Sequence, residues 1–218
     1  MADEELPVPI FDLYDFDVRE LVLGWATDHV RKIDAAYGQR GGWEKWAQVE
    51  IATMLADHIS NLMASDANAP IHTVTREVPA YYVDIVISAT DRNDSSRQDF
   101  LIVELKCESA QAKATTFAAG VDEDFAKISG DFKQQFQPAQ LYAFAFTMSQ
   151  DGYQKMAAEV RSWAKAASQV PGQRSSDGTG PAEAITNELA LWSFEADDKG
   201  RGTKYDSLLA AYPEAAFL

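Results

Sequence analysis

The sequence is poor in the residues from which several kinds of site are built. A single cysteine, Cys107, excludes an internal disulfide and fits a reducing compartment. The histidines are three, His29, His58 and His72, and they are too scattered to assemble a zinc site with it. Neither a Gly-rich phosphate loop nor a serine nucleophile elbow occurs. No apolar run approaches the roughly eighteen residues of a membrane span, and the opening Met-Ala-Asp-Glu-Glu lacks the positive flank and apolar core of a signal peptide. A cytosolic protein is expected, or one exported by a route that leaves no cleavable signal. Basic residues are scarce too: 19 Lys and Arg stand against 34 Asp and Glu, for a net charge of −15. Phosphate neutralisation dominates affinity for nucleic acid, so this balance argues against tight binding by charge alone. A few cations such as Arg92, Arg97, Lys106, Lys113, Lys127 and Lys133 could still line one face, with weak intrinsic affinity or a basic partner protein as the consequence.

What is present is a chain of 218 residues, 46% of them hydrophobic, enough for one substantial core. Apolar residues at near-helical spacing predict a helix from Val18 to Ala36, capped by Asp17, and a second from Trp43 to Met63. Three strand-like runs follow, Ile71 to Val78, Tyr81 to Ala89 and Asp99 to Cys107, joined by links short enough for antiparallel pairing. Ser109 to Ala119 reads as mobile, Val121 to Phe136 as a helix, Leu141 to Met148 as a buried strand, Tyr153 to Ser168 as a helix and Glu188 to Glu195 as a last strand. The polar stretch Pro171 to Pro181 reads as a flexible loop. Helix, three strands, helix and strand in that order predict an α/β sandwich with a helix-covered central sheet. The division expected is an N-terminal helical extension over 1–42, a core domain over 43–195 and a tail over 196–218.

Charge intrudes on two of the strands. In Tyr81 to Ala89, pleating puts Asp84 on the face of Tyr82 and Val86. In Phe100 to Lys106, Leu101, Val103 and Leu105 take one face, so Glu104 and Lys106 project together from the other. A Glu-x-Lys on a strand is ordinarily a solvent-facing ion pair. Here apolar residues occupy both faces, the pattern of a strand covered on both sides. Two converging carboxylates make a hard oxygen site for Mg²⁺. A lysine beside them can orient or deprotonate a water and offset developing negative charge, which is the chemistry of phosphodiester hydrolysis.

With these residues in place, the chain from Trp43 to Met148 resembles the PD-(D/E)xK nuclease superfamily, the restriction-endonuclease-like fold with core order αβββαβ. Asp84 matches the metal-binding acid of the second core strand, and Glu104 and Lys106 match the (D/E)xK pair of the third. Val83 stands where the literal signature has proline. The resemblance implies a Mg²⁺-dependent nuclease, with Mn²⁺ able to substitute and DNA as the expected substrate. Asp84, Glu104 and the backbone carbonyl of Leu105 would hold the metal. Many members add a glutamate from the first core helix, and Glu50, flanked by Trp46 and Met54 at i±4, fits that role. Asp124, Lys127, Lys133, Gln134 and Gln135 on the next helix are candidates for further contacts. Cys107 alternates to the face opposite Lys106 and reads as a buried thiol. The alternatives are a non-catalytic nucleic-acid-binding module on the same fold, and an acidic protein-interaction module. Homodimerisation would suit a double-strand cutter.

Overall fold

The fold was analysed in a computed structural model. The structure describes residues 11, 17–40, 42–64, 69–78, 83–129, 139–149, 151–156, 158, 187–193, 195–196, 202–204 and 208–211. Its elements are helices α1 (Val18–Asp28), α2 (Val30–Tyr37) and α3 (Glu44–Met63), strands β1 (Ile71–Val78), β2 (Val83–Thr90) and β3 (Gln98–Cys107), helix α4 (Ala114–Ser129), strand β4 (Ala139–Thr147), and then β5 (Asn187–Ser193), β6 (Glu195–Ala196), β7 (Gly202–Lys204) and β8 (Leu208–Ala211). Residues 151–156 are also helical. No helix of the described residues is long and apolar enough to cross a membrane.

The chain is α/β around a mixed sheet of order β1-β2-β3-β4-β5-β8, while β6 and β7 pair separately. β1, β2 and β3 form an antiparallel meander, as the short links require. β4 then lies parallel to β3 and β5 parallel to β4, each parallel step following an intervening crossover, and β8 returns antiparallel to β5. The segment read as a C-terminal tail thus contributes a strand to the sheet.

Side-chain alternation sorts the core. Ile85, Ile87, Leu101, Val103, Leu105, Phe144 and Phe146 face one way and pack with Ala47, Ile51, Leu55 and Ile59 of α3 and with Val22, Trp25 and Ile33 of α1 and α2, all in one buried cluster. The N-terminal helices are therefore part of the same hydrophobic core that covers the sheet. Trp43, fully buried at the start of α3, donates its Nε1–H to the Glu108 carbonyl at 2.8 Å and ties the helix to the end of β3.

Two helical expectations need correction. The single helix from Val18 to Ala36 is two, because at His29 the backbone turns to φ −106°, ψ 9°. There the Trp25 carbonyl accepts both the His29 N–H at 3.0 Å and its Nδ1–H at 2.9 Å, a side-chain intrusion of the kind that breaks a helical ladder. Second, Ser109 to Ala119 is helical from residue 114. Thr and Gly are poor helix formers, but Phe117, Ala118 and Val121 fall on one face and are buried, so tertiary packing overrides propensity. Lys133, Gln134, Gln135 and the loop from Pro171 to Pro181 lie outside the described residues.

Candidate functional site

The site begins where β2 leaves β3. The two strands pair from Thr90↔Gln98 as far as Ile85↔Val103. Beyond that point β2 keeps its other partner, with Val83 still opposite Val78 of β1. The next N–H groups on the vacated edge of β3, those of Leu105 and Cys107, would be orphaned donors. Carboxylates take both. Asp84 Oδ2 accepts from Leu105 N at 2.7 Å, and Glu44 Oε2 accepts from Cys107 N at 3.0 Å. Strand carbonyls point to the same edge as their own N–H groups, so the Leu105 carbonyl opens on this fork.

Helix α3 closes the fork from the core side. Its residues Glu44 and Gln48 are one turn apart on one face, and Gln48 Nε2 donates to Asp84 Oδ1 at 2.7 Å. Gln48 is only 4% exposed, and its Oε1 is buried without a hydrogen-bond partner among the described residues. Both oxygens of Asp84 are thus held, one by a backbone amide and one by a side-chain amide.

Glu104 and Lys106 extend from the other face of β3, as the pleat requires. Glu104 is 2% exposed. Their register partners on β4 are Ala143 and Ala145, small side chains on a strand whose Phe144 and Phe146 point to the core. Lys106 Nζ lies 3.0 Å from Asp124 Oδ2 of α4 and 4.0 Å from Glu44 Oε2. Burial by itself would depress the Lys106 pKa. The charges of Glu44 and Asp124, the hydrogen bond to Asp124 and the charge of Asp84 outweigh it, and the pKa is raised. Lys106 is a firmly held ammonium. Glu44 is raised as well, first by burial, with Asp84 and Asp124 adding to it against the pull of Lys106 and the Cys107 amide.

Asp84, Leu105 and Lys106 therefore meet at one place, and Glu104 stands buried beside them on β3. Glu50 does not join them. It lies two residues past Gln48, which on an α-helix is about 200° around the axis. It faces α1, with Oε2 3.9 Å from His29 Nε2, in a groove also lined by Leu21, Trp25 and His58. Of the flanking residues that suggested a core-facing carboxylate, Trp46 packs beside Trp25 and His29, and Met54 lines the same groove as Glu50. The helix glutamate at the site is Glu44. A sign of the correct face was available: Gln48 interrupts the apolar series Ile51, Ala52, Leu55 and Ile59.

Other expectations resolve simply. Arg92 and Arg97 sit in the β2–β3 turn, at the opposite end of that hairpin from Asp84. The Arg92 Nε–H bonds the Ala69 carbonyl, and Arg97 lies 3.6 Å from Asp91. They brace a loop and do not line the site. Cys107 packs against the core, and its pKa is pushed well up by burial first, then by Glu44 and Asp84, as befits a thiol without nucleophilic character.

Sequence reasoning missed Glu108. Its carboxylate is buried and accepts from Thr147 Oγ1 at 2.7 Å, Met148 N at 2.9 Å, Ser149 N at 3.0 Å and Ser149 Oγ at 2.5 Å. It clamps the end of β3 to the turn after β4. Fully engaged in holding the backbone, it is a structural acid.

Among the described residues no group of three or more His, Cys, Asp or Glu side chains is arranged to hold a metal by itself. Mg²⁺ does not require one, since it keeps several waters and takes one or two carboxylates together with other oxygens. The oxygens at the fork are hard donors, Asp84, the Leu105 carbonyl and the buried Gln48 Oε1, and Glu104 lies one residue before Leu105 on β3. That set fits the ion. No protein-family model matches the chain, and no curated protein is significantly similar to it in sequence.

Proposed function

We propose that this protein is a Mg²⁺-dependent nuclease of the PD-(D/E)xK type, acting on DNA as an endonuclease. The observation that carries the reading is the fork: β2 parts from β3 at Asp84, whose carboxylate caps Leu105 N beside Glu104 and Lys106. The order α3-β1-β2-β3-α4-β4, with β4 parallel to β3, agrees with the core of a restriction-endonuclease-like sandwich.

Asp84, Glu104 and the Leu105 carbonyl would hold Mg²⁺ or Mn²⁺, with Gln48 Oε1 as a further oxygen. When bound, the ion supplies Lewis-acid polarisation of the scissile phosphate and positive charge in an otherwise acidic site. The remaining work belongs to the chain. Gln48 and the Leu105 amide fix the Asp84 carboxylate before any ligand arrives, which limits reorganisation during reaction. Lys106 donates hydrogen bonds to the attacking water and to the phosphoryl oxygens, on which negative charge builds in the pentacovalent transition state; the water's proton passes to bulk solvent, and solvent returns one to the departing oxygen. Held between Asp124 and Glu44, it acts as a cation and not as a base.

The net charge of −15 bears on the partner. Diffuse attraction to DNA is weak, so productive binding relies on the loaded metal site, on a second copy of the chain or on a basic partner protein. The test is incubation of supercoiled plasmid with purified protein, with and without Mg²⁺, beside Lys106→Ala. Metal-dependent nicking or linearisation that is lost in the variant is expected. Cleavage that persists in the variant overturns the assignment of the site to Lys106, and an absence of both cleavage and metal binding overturns the nuclease reading in favour of a non-catalytic binding module.

A further inference from the structure

Helix α4 meets Lys106 at two points one turn apart. The first is Gly120, where a Cβ built on the backbone would stand 2.6 Å from Lys106 Cε and 3.6 and 3.7 Å from its Nζ and Cδ. Real side chains do not approach so closely, so the lysine stem runs through space that any other residue would fill. The second is Asp124, four residues on, whose Oδ2 takes Nζ at 3.0 Å. A glycine inside a helix is less favourable than alanine. Here it lies between Phe117, Ala118 and Val121, which are buried against the sheet, and its missing side chain is what admits Lys106.

We infer that Gly120 and Asp124 form a seat on α4 that positions Lys106 for the reaction. The inference rests on the nuclease reading of the site. Gly120 receives the stem and Asp124 takes the ammonium, and neither needs to touch the substrate; both are positioning residues. The need for a seat follows from the surroundings of Lys106. A lysine carries large rotamer entropy on a flexible four-carbon stem. Around this one stand Glu44 and Asp84 as well as Asp124. An unseated ammonium would settle on the acids of the fork and compete for the oxygens that are to hold the ion. With Asp124 as its nearest acid, Lys106 stays beside the fork, and the Asp84 oxygens remain with Gln48 and Leu105.

Gly120→Ala separates this role from a merely structural one. Alanine favours the helix, and the atom it meets is the far end of a flexible side chain, so the variant keeps or raises its melting temperature while Lys106 is displaced. Asp124→Asn releases the ammonium without altering the shape of the helix. In both, kcat should fall roughly tenfold to a hundredfold, as expected for a misplacement of about 1 Å, with KM near the wild-type value. A readout independent of activity accompanies it: acylation of lysines by an acetyl ester, followed residue by residue by mass spectrometry. Lys106 should react faster in each variant than in the wild type, with Lys113 as the unchanged reference. Unchanged reactivity of Lys106 in both variants overturns the seat whether or not the protein cleaves DNA. Faster acylation with full kcat refutes its role in positioning. Should the wild type neither cleave DNA nor bind Mg²⁺, the nuclease reading falls, and the positioning of Lys106 for that reaction falls with it, while the acylation result still decides the seat.

Discussion

The Asp84 carboxylate has two roles that substitution can pull apart. It holds the fork together, and it is the acid at the centre of the proposed metal site. Asp84→Ala leaves the Leu105 N–H and the Gln48 amide in a largely buried place without their acceptor. Each orphaned group costs about 1–3 kcal/mol, and the vacated space lets in some water. A net loss of roughly 2–4 kcal/mol is expected on these figures. Asp84→Asn differs. Its Oδ1 can still accept from Leu105 N, and its amide can donate to Gln48, whose Oε1 is free of any partner among the described residues, once the glutamine amide turns over. Loss of one negative charge also relieves the repulsion that raises Glu44. The asparagine variant should stay within about 1 kcal/mol of wild type, the net worth of a typical hydrogen bond, and yet lose Mg²⁺-dependent cleavage. Urea unfolding at constant m-value gives the stabilities, and plasmid nicking gives the activity. Equal destabilisation by Asn and Ala would refute the hydrogen-bond argument; an active Asn variant would refute the metal argument.

Other outcomes follow from the same geometry. Glu108→Ala strips an acceptor from two backbone amides and two hydroxyls at once, and should cost about 3–5 kcal/mol in urea unfolding, since each orphaned buried donor costs about 1–3 kcal/mol and the hydroxyls can turn to other acceptors; a loss under about 1 kcal/mol would show the clamp to be incidental. Glu44 has its pKa raised in the folded state, so its contribution to stability is complete below the ordinary glutamate range and is lost as pH rises through the folded value. Ionised Glu44 therefore opposes folding at neutral pH. Glu44→Gln, which can still accept from Cys107 N, should be more stable than wild type at pH 7, and the advantage should vanish near pH 4, about the ordinary value of the group; a gain that persists unchanged in acid would contradict the cause assigned here. Glu50→Gln should cleave at the wild-type rate, because Glu50 faces His29 across the α1–α3 groove. A loss of cleavage comparable to that of Asp84→Asn would place Glu50 back in the site.

Much of this was legible in the residues themselves. The alternation in β2 and β3 required Glu104 and Lys106 to share a face, and the apolar neighbours on both sides required that face to be covered. The short links dictated antiparallel pairing of the first three strands. These are local properties, set by a period of two and by chain reach, and they survive whatever surrounds them. Which helix carboxylate reaches the strands was not local. Glu44 and Glu50 belong to one helix with two apolar faces, and only the docking of α1 and α2 on the second face assigned Glu50 to His29 and Glu44 to the fork. The same holds for Gly120, whose value lies in a lysine fourteen positions earlier that crosses its helix. It holds for Glu108, whose partners come from the turn after β4. The sequence by itself determined which side chains share a strand face. The tertiary structure decided which distant backbone amides and ammonium groups those side chains must satisfy, because a buried donor takes the nearest acceptor that packing brings to it.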